Sequence, residues 1–145
     1  METIYLPNSI TKIEEKAFIE CTSLKSISIP DSVTEMGIYI FSGCKSLEKA
    51  KIPVIRQNIM KGMFENCSSL KEIELPNTVT NIQSYAFSGC TALENIKLSD
   101  SLTKIQDSAF KDCTSLASIS IPEGVTSIGS SCLLYTSPSP RDMRR

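Results

Sequence analysis

The chain has 145 residues, of which 41% are hydrophobic, and its 15 basic and 16 acidic side chains give a formal net charge of −1. No run approaches the roughly 18 apolar residues of a membrane-spanning helix, and the charge balance is not that of a nucleic-acid-binding protein. Histidine is absent, which removes the commonest general base and metal ligand.

A repeat of 23 residues runs through the chain in four columns of residues that keep one register. The columns are Phe18, Phe41, Phe64, Phe87 and Phe110; Cys21, Cys44, Cys67, Cys90 and Cys113; Leu24, Leu47, Leu70, Leu93 and Leu116; and Pro7, Pro30, Pro53, Pro76 and Pro122. Ser99 stands in the one open place of the proline column. Agreement over this many positions indicates stacked copies of one structural unit.

In the copy that begins at Leu24, apolar Ile27 and Ile29 alternate with serines, which predicts a half-buried strand within residues 24–29. Pro30 lacks the amide hydrogen that a strand ladder needs, so it is expected to end that strand. Residues 33–36 predict a second extended segment, and residues 41–44 predict a helical or 3₁₀ turn closed by glycine. Because every copy runs the same way round, the stacked strands must be parallel. One copy alone buries too little apolar surface to offset the entropy of ordering its backbone, so the copies must stabilise one another.

The repeat resembles a known family in three of its segments. Leu70 to Pro76 has the form Leu-x-x-Ile-x-Leu-Pro, Thr78 to Ile82 has the form Thr-Val-Thr-x-Ile, and Ala86 to Cys90 has the form Ala-Phe-x-x-Cys. Repeated over about residues 1–131, these motifs are similar to those of the BspA-like leucine-rich repeats. The resemblance implies an α/β leucine-rich-repeat solenoid, a right-handed superhelix with a parallel β-sheet and with short helical or 3₁₀ turns on the opposite side.

The resemblance also implies a function. Members of the family are surface or secreted proteins, mostly bacterial, that bind proteins of a host or of neighbouring cells. The chain is therefore expected to be a non-catalytic protein-binding or adhesion module of a larger cell-surface or secreted protein. A structural spacer and an intracellular interaction scaffold are the alternatives. The full-length protein is expected to be monomeric.

Charged residues form a checkerboard between the buried positions of the predicted strands. The sign alternates along two columns, which are Lys25, Glu48, Lys71 and Glu94, and Lys51, Glu74 and Lys97. In one interpretation the checkerboard only sets strand register and solubility, because opposite charges on adjacent strands stabilise their pairing. In the other it is a polar docking surface for a protein partner. The candidate protein-binding face comprises Lys25, Glu48, Lys49, Lys51, Lys71, Glu72, Glu74, Glu94, Asn95 and Lys97.

The third copy departs from the repeat. Ala50 replaces the strand isoleucine, Val54 and Ile55 occupy a turn that is polar elsewhere, and Arg56 stands in a valine column. One interpretation is a local shift in which Ile55 fills the valine position, and the other is an exposed apolar spot for a partner. An arginine is costly to bury without partners, so the backbone is expected to differ at Arg56.

The cysteine column has three interpretations. The first is a row of small buried apolar side chains beside the phenylalanines. The second is disulfides between adjacent coils, since strand spacing falls within the Cα range of a disulfide. The third, a metal site, is disfavoured because the column contains no close cysteine pair and the chain contains no histidine.

Candidates for catalysis, cofactors and nucleic-acid binding are few. Glu14 and Glu15 are adjacent acids in a predicted turn, and no phosphate-binding or dinucleotide-binding glycine motif is present. Tyr5 is the one aromatic residue on the predicted strand face, so base stacking has no support. The sequence therefore predicts no enzyme, no cofactor, no metal, no nucleic-acid partner and no membrane insertion.

Both ends are expected to be cut. Met1 falls one repeat before Leu24 with no cap and no signal peptide, so the solenoid is predicted as an uncapped fragment of about five and a half repeats over residues 1–131. The repeat is lost at Cys132, and residues 132–145 resemble a translated sequencing adapter. They are predicted to be a non-native disordered tail, with a genuine Pro/Ser/Arg tail as the alternative.

Overall fold

The computed structural model describes residues 2–54 and 56–131, and over these residues it contains ten short β-strands and no helix. The predictions made for Ile55 and for residues 132–145 lie outside the described residues. The strands are β1 Thr3–Ile4, β2 Lys12–Ile13, β3 Ser26–Ser28, β4 Glu35–Met36, β5 Lys49–Lys51, β6 Asn58–Ile59, β7 Glu72–Glu74, β8 Asn81–Ile82, β9 Lys104–Ile105 and β10 Ser127–Ile128. Coil 2 begins at Leu24, and coils 3, 4, 5 and 6 begin at the later leucines of that column.

Every strand pair is parallel and joins residues 23 positions apart, which confirms the predicted stacking. The first sheet has the order β1-β3-β5-β7, and Ile27 pairs in register with Ala50, which pairs with Ile73. On the second side of the stack, β2 and β4 form one sheet, and β6, β8, β9 and β10 form another in that order. The strand β3 ends at Ser28, and Ile29 and Pro30 follow it, as the proline column predicts.

The third side of each coil is a turn, and the prediction of a helical or 3₁₀ turn there is wrong. In coil 2, the N–H groups of Tyr39, Phe41 and Gly43 leave the coil and donate to carbonyl groups of coil 3 at 2.8–3.0 Å. The N–H groups of Ser42 and Cys44, on either side of Gly43, instead donate three residues back within the coil. Because alternate N–H groups point out of the coil, no helix can propagate. We call these bonds between coils the turn ladder.

Two left-handed residues in each of coils 1 to 5 produce this alternation. In coil 2 they are Tyr39, with φ 57°, and Gly43, with φ 77°. The other coils place Lys16, Glu20, Gly62, Asn66, Tyr85, Gly89, Ser108 and Asp112 in the same two columns, all with positive φ. Glycine adopts this conformation without steric cost, whereas the other residues are held in it by the turn ladder.

The core of the stack is built on the phenylalanine column. Adjacent rings lie 5.3–5.6 Å apart between centroids and within 16° of parallel, from Phe18 through Phe110. Offset stacking of this kind adds to the free energy gained by burying the rings. Phe41, Phe64 and Phe87 are fully buried, and the leucine column lies beside them. The turn ladder and the rings together fix the spacing between coils.

Two interruptions divide the sheets. The first sheet ends at β7, and residues 95–97 and 118–120, the repeat equivalents of β3, form no strand, although Leu98 and Ile119 still point inward and are buried. On the second side, β4 and β6 do not pair. Among the backbone ladders of residues 2–54 and 56–131, the turn ladder is the one that continues from coil 1 to coil 6.

Arg56 occupies the interruption on the second side. The carbonyl groups of Thr11 and Gln57 each accept hydrogen bonds from backbone N–H groups of the next coil. Thr34 is the equivalent residue of coil 2. The Thr34 carbonyl instead accepts a hydrogen bond from Arg56 Nη1 at 3.1 Å. Arg56 Nε is buried without a partner, and burial lowers the pKa of the guanidinium.

One backbone hydrogen bond at Arg56 is nevertheless the same as in the other coils. The Arg56 N–H donates to the Pro53 carbonyl at 3.1 Å, as Val33 and Val79 donate to Pro30 and Pro76. The expected difference in the backbone is therefore absent at this hydrogen bond and present in the strand pairing beside it, where β4 and β6 do not pair. The arginine is accommodated because its guanidinium donates to the Thr34 carbonyl, which would otherwise accept backbone N–H groups of coil 3.

We expect Arg56→Val to raise the free energy of unfolding by about 1–3 kcal/mol, because it removes an unsatisfied buried N–H and frees the Thr34 carbonyl. The amides of Asn58 and Met60 should gain protection from hydrogen exchange as β4 and β6 pair. Urea unfolding and native-state hydrogen exchange measure both effects. The reverse substitution in the next coil, Val79→Arg, is the matched control and should destabilise the chain. A lower unfolding midpoint for Arg56→Val would contradict the interpretation.

Candidate protein-binding face

The ten residues of the candidate protein-binding face all have exposed side chains. The strands β5 and β7 hold the centre of the face, where Lys49 pairs in register with Glu72 and Lys51 pairs with Glu74. Alternate residues of a strand point to opposite faces, so these side chains project outward while Ala50 points into the core. The structure thus brings the predicted residues of coils 3 and 4 together on one surface.

The residues of coil 5 join this surface less regularly. Glu94, Asn95 and Lys97 are exposed but lie beyond β7, outside any strand. At the other end, Lys25 Nζ lies 3.9 Å from Glu2 Oε1, so Glu2 extends the alternating column by one coil. Glu2 was not among the predicted residues, although its position, 23 residues before Lys25, was the signal that identifies it.

The charges on the face are only loosely paired with one another. Lys49 Nζ and Glu72 Oε1 are 3.9 Å apart, and their side chains are 65% and 69% exposed. Exposed ion pairs of this length stabilise a fold little, since water screens them. Most of the hydrogen-bonding capacity of these groups therefore remains available to a partner.

A cleft opens where the first sheet ends. It has a volume of about 340 Å³ and is lined by residues of coils 3, 4 and 5, with Ile73, Leu75 and Leu98 among its apolar lining residues. Lys51, Glu74 and Lys97 line it as well, so the charged face borders an apolar recess. Sequence reasoning missed this cleft, because the strand pattern at residues 95–97 is intact.

Val54 also lines the cleft and is 52% exposed. Its N–H donates to the Asp31 carboxylate at 3.1 Å, which holds the turn of coil 3 against that of coil 2. Val54 is therefore an exposed apolar residue at this turn, whereas a partner for it stays a prediction and Ile55 lies outside the described residues.

The cysteine column is buried beside the phenylalanines, which confirms the first of its three interpretations. Cys44, Cys67, Cys90 and Cys113 are free and at most 1% exposed, and Cys21 at the end of the column is half-buried. Each of the four buried thiols donates to the carbonyl group of the phenylalanine 26 residues earlier, at 3.0–3.2 Å. The column therefore links successive coils through weak S–H hydrogen bonds rather than disulfides.

Burial raises the pKa of these thiols. The pKa of Cys44 rises to about 11 and that of Cys113 to about 12, with desolvation as the main cause, and those of Cys67 and Cys90 also rise. A thiol that stays protonated is a poor nucleophile and a poor metal ligand. Among the residues that the structure describes, no group of three or more acidic, cysteine or histidine side chains lies close enough to hold a metal ion.

Comparison with known proteins settles the family. A family model described as a BspA type leucine rich repeat region matches residues 1–82 and 39–139, in six copies. The chain belongs to this family. No curated protein matches it.

Several solved structures resemble this BspA-type chain. A leucine-rich repeat protein from Bacteroides ovatus ATCC 8483 is 32% identical over 92% of the chain, with a TM-score of 0.83. A leucine rich cell surface protein from Faecalibacterium prausnitzii A2-165 is 34% identical over 90% of the chain, with a TM-score of 0.77. A leucine-rich repeat protein from Eubacterium ventriosum ATCC 27560 is 25% identical over 89% of the chain, with a TM-score of 0.82. The chain covers 34%, 32% and 35% of these proteins, about a third of each.

The described residues of this BspA-type chain contain no helix with the length and apolar character needed to cross a membrane.

We expect alkaline pH to destabilise the stack through the buried thiols. Their pKa is raised on folding above the ordinary value of 9.0, so their contribution to stability is complete below about pH 9 and is lost as pH rises toward 11–12. Each thiol that ionises only on unfolding should lower the free energy of unfolding by about 1.4 kcal/mol per pH unit in that window. Urea unfolding between pH 7 and about pH 10.5 measures the slope.

The double variant Cys67→Ala/Cys90→Ala should show a shallower slope than the unmodified chain. Val79→Ala, which weakens the core but leaves all four thiols in place, is the control and should keep the original slope. Equal slopes for the thiol variant and the unmodified chain would show that the buried thiols do not control alkaline stability.

Proposed function

We propose that the chain is a non-catalytic protein-binding module of a larger cell-surface protein, and that its partner is bound by the candidate protein-binding face. The observation that carries this proposal is the exposed, loosely paired set of charges on β5 and β7, bordered by the apolar cleft. Charged rims around an apolar recess are typical of protein interfaces. The partner we expect is a surface or matrix protein of a host or of a neighbouring cell.

The comparisons support the setting of this proposal. The relative from Faecalibacterium prausnitzii is described as a cell surface protein, and a repeat solenoid offers an extended surface of the kind used for protein recognition. We therefore place this chain at the cell surface or outside the cell, and assign to it adhesion rather than catalysis.

Reversing four charges at the centre of the face tests the proposal. The variant Lys49→Glu/Lys51→Glu/Glu72→Lys/Glu74→Lys leaves the net charge unchanged and keeps opposite charges at both paired positions, so the fold should be retained. Binding to a partner found in a screen of extracellular proteins should weaken at least tenfold, because buried or closely facing charge pairs become like-charged contacts. Surface plasmon resonance at two salt concentrations measures the loss.

The matched control reverses an exposed charge pair on the second side, Lys12→Glu/Glu35→Lys, where the two residues are also in register. This control should bind as the unmodified chain does. Equal affinity of the four-residue variant would contradict the assignment of the face. Absence of any partner in a broad screen would favour the spacer.

A further inference from the structure

The strand faces of coils 3 and 4 carry inverse charge patterns. Coil 3 presents Glu48, Lys49 and Lys51, and coil 4 presents Lys71, Glu72 and Glu74 at the same three positions. The register is direct, since β5 and β7 pair Lys49 with Glu72 and Lys51 with Glu74. The N–H of Lys71 also donates to the Glu48 carbonyl at 3.1 Å. The charge pattern thus inverts over one strand spacing, which is about 4.8 Å.

We propose that this face binds a second copy of the chain, face to face and with the two coil stacks antiparallel. The inference rests on the proposed function, in which the strand face is the binding surface, and it adds a second copy of the chain as a partner of that surface. The two-fold axis runs parallel to the strands, above the midpoint between β5 and β7. A two-fold contact of this kind uses the same patch on both copies, so each residue pair occurs twice.

This rotation places opposite charges together at all three positions. It keeps each residue at its place along the strand and exchanges coil 3 of one copy with coil 4 of the other. Glu48 therefore faces Lys71 of the second copy, Lys49 faces Glu72, and Lys51 faces Glu74. One step outward, Lys25 faces Glu94 in the same manner.

The other two-fold arrangement of the same face is unfavourable. If the coil stacks were parallel, each coil would face its own counterpart, and Glu48 would meet Lys51. Lys49 would then lie beside Lys49 of the second copy and Glu72 beside Glu72, which repel. The antiparallel arrangement is the one that satisfies every charge at the centre of the face.

The flanks of the charged centre permit close approach. On coil 2, β3 presents the small residues Ser26 and Ser28, which the rotation sets opposite Asn95 and Lys97. No like charges meet at these positions. The Lys49 and Glu72 side chains are more than half exposed and 3.9 Å apart, so each keeps donors or acceptors for the second copy.

The contact is electrostatic and exposed, so it is weak in dilute solution, where the chain is a monomer. It strengthens when many copies are displayed on facing surfaces, because successive contacts then form at high effective concentration. The chemistry therefore suits adhesion between two surfaces that carry the same protein.

Two single-coil variants test the arrangement. The coil 3 variant is Glu48→Lys/Lys49→Glu/Lys51→Glu, and the coil 4 variant is Lys71→Glu/Glu72→Lys/Glu74→Lys. Each variant alone places like charges at all three facing positions of a homodimer. When the two are mixed, coil 3 of one again faces opposite charges on coil 4 of the other. Sedimentation velocity at up to about 1 mM protein, in about 20 mM and about 500 mM salt, measures association.

We expect the unmodified chain to self-associate at low salt and at least tenfold more weakly at high salt. Each single-coil variant should remain monomeric, and their equimolar mixture should form a heterodimer. Recovery in the mixture also shows that the variants are folded, which circular dichroism of each checks independently. Lys12→Glu and Glu35→Lys control for net charge, since these substitutions on the second side change the charge in opposite directions but leave the face intact. Each should self-associate alone as the unmodified chain does, and mixing the two should not strengthen the association.

A monomeric unmodified chain under all these conditions would overturn the inference, as would a mixture that does not associate. Self-association of the coil 3 variant alone would also overturn it, because only the parallel arrangement tolerates that reversal. The outcome is separable from the proposed function. The four-residue reversal described above remains self-complementary, so it should lose an outside partner yet keep self-association.

Discussion

The turn ladder is the constraint on which the rest of the structure depends. Its N–H groups leave their own coil and donate to the next, and the stacked phenylalanine rings hold the same spacing beside them. A coil cannot satisfy these donors by itself, because the left-handed residues at positions such as Tyr39 and Gly43 turn them outward. Identical positions in successive coils must therefore superpose, and charge columns on the outside inherit that register.

Strand pairing on the first and second sides of the coils is more tolerant than the turn ladder, and the positions where it is interrupted carry Arg56 and the cleft. Where Arg56 donates to the Thr34 carbonyl, β4 and β6 do not pair, yet the coils remain stacked. Where the first sheet ends after β7, a cleft opens beside the charged face. Because the turn ladder keeps the coils stacked on the third side, strand pairing can be lost on the first side. A recess can therefore form there while the core stays packed.

The sequence predicted the features that depend on which side chains are buried. The phenylalanine and cysteine columns indicated the core, and the 23-residue step required the parallel register that pairs Ile27 with Ala50. It could not predict the turns, because residues such as Lys16 and Tyr39 adopt a left-handed conformation that their side chains do not favour and that only inter-coil bonds impose. It also could not predict the cleft, since residues 95–97 keep the strand pattern, or the acceptor that Arg56 finds in the neighbouring coil.

The most direct test of mutual stabilisation between coils is the effect of Phe64→Ala, which opens a cavity at the centre of the ring column. Hydrogen exchange should show lost protection at the amides of Phe41 and Phe87 as well as in coil 3. Urea unfolding should remain a single transition, and the free energy of unfolding should fall by about 3–5 kcal/mol. Loss of protection confined to coil 3, or two separate unfolding transitions, would contradict the account.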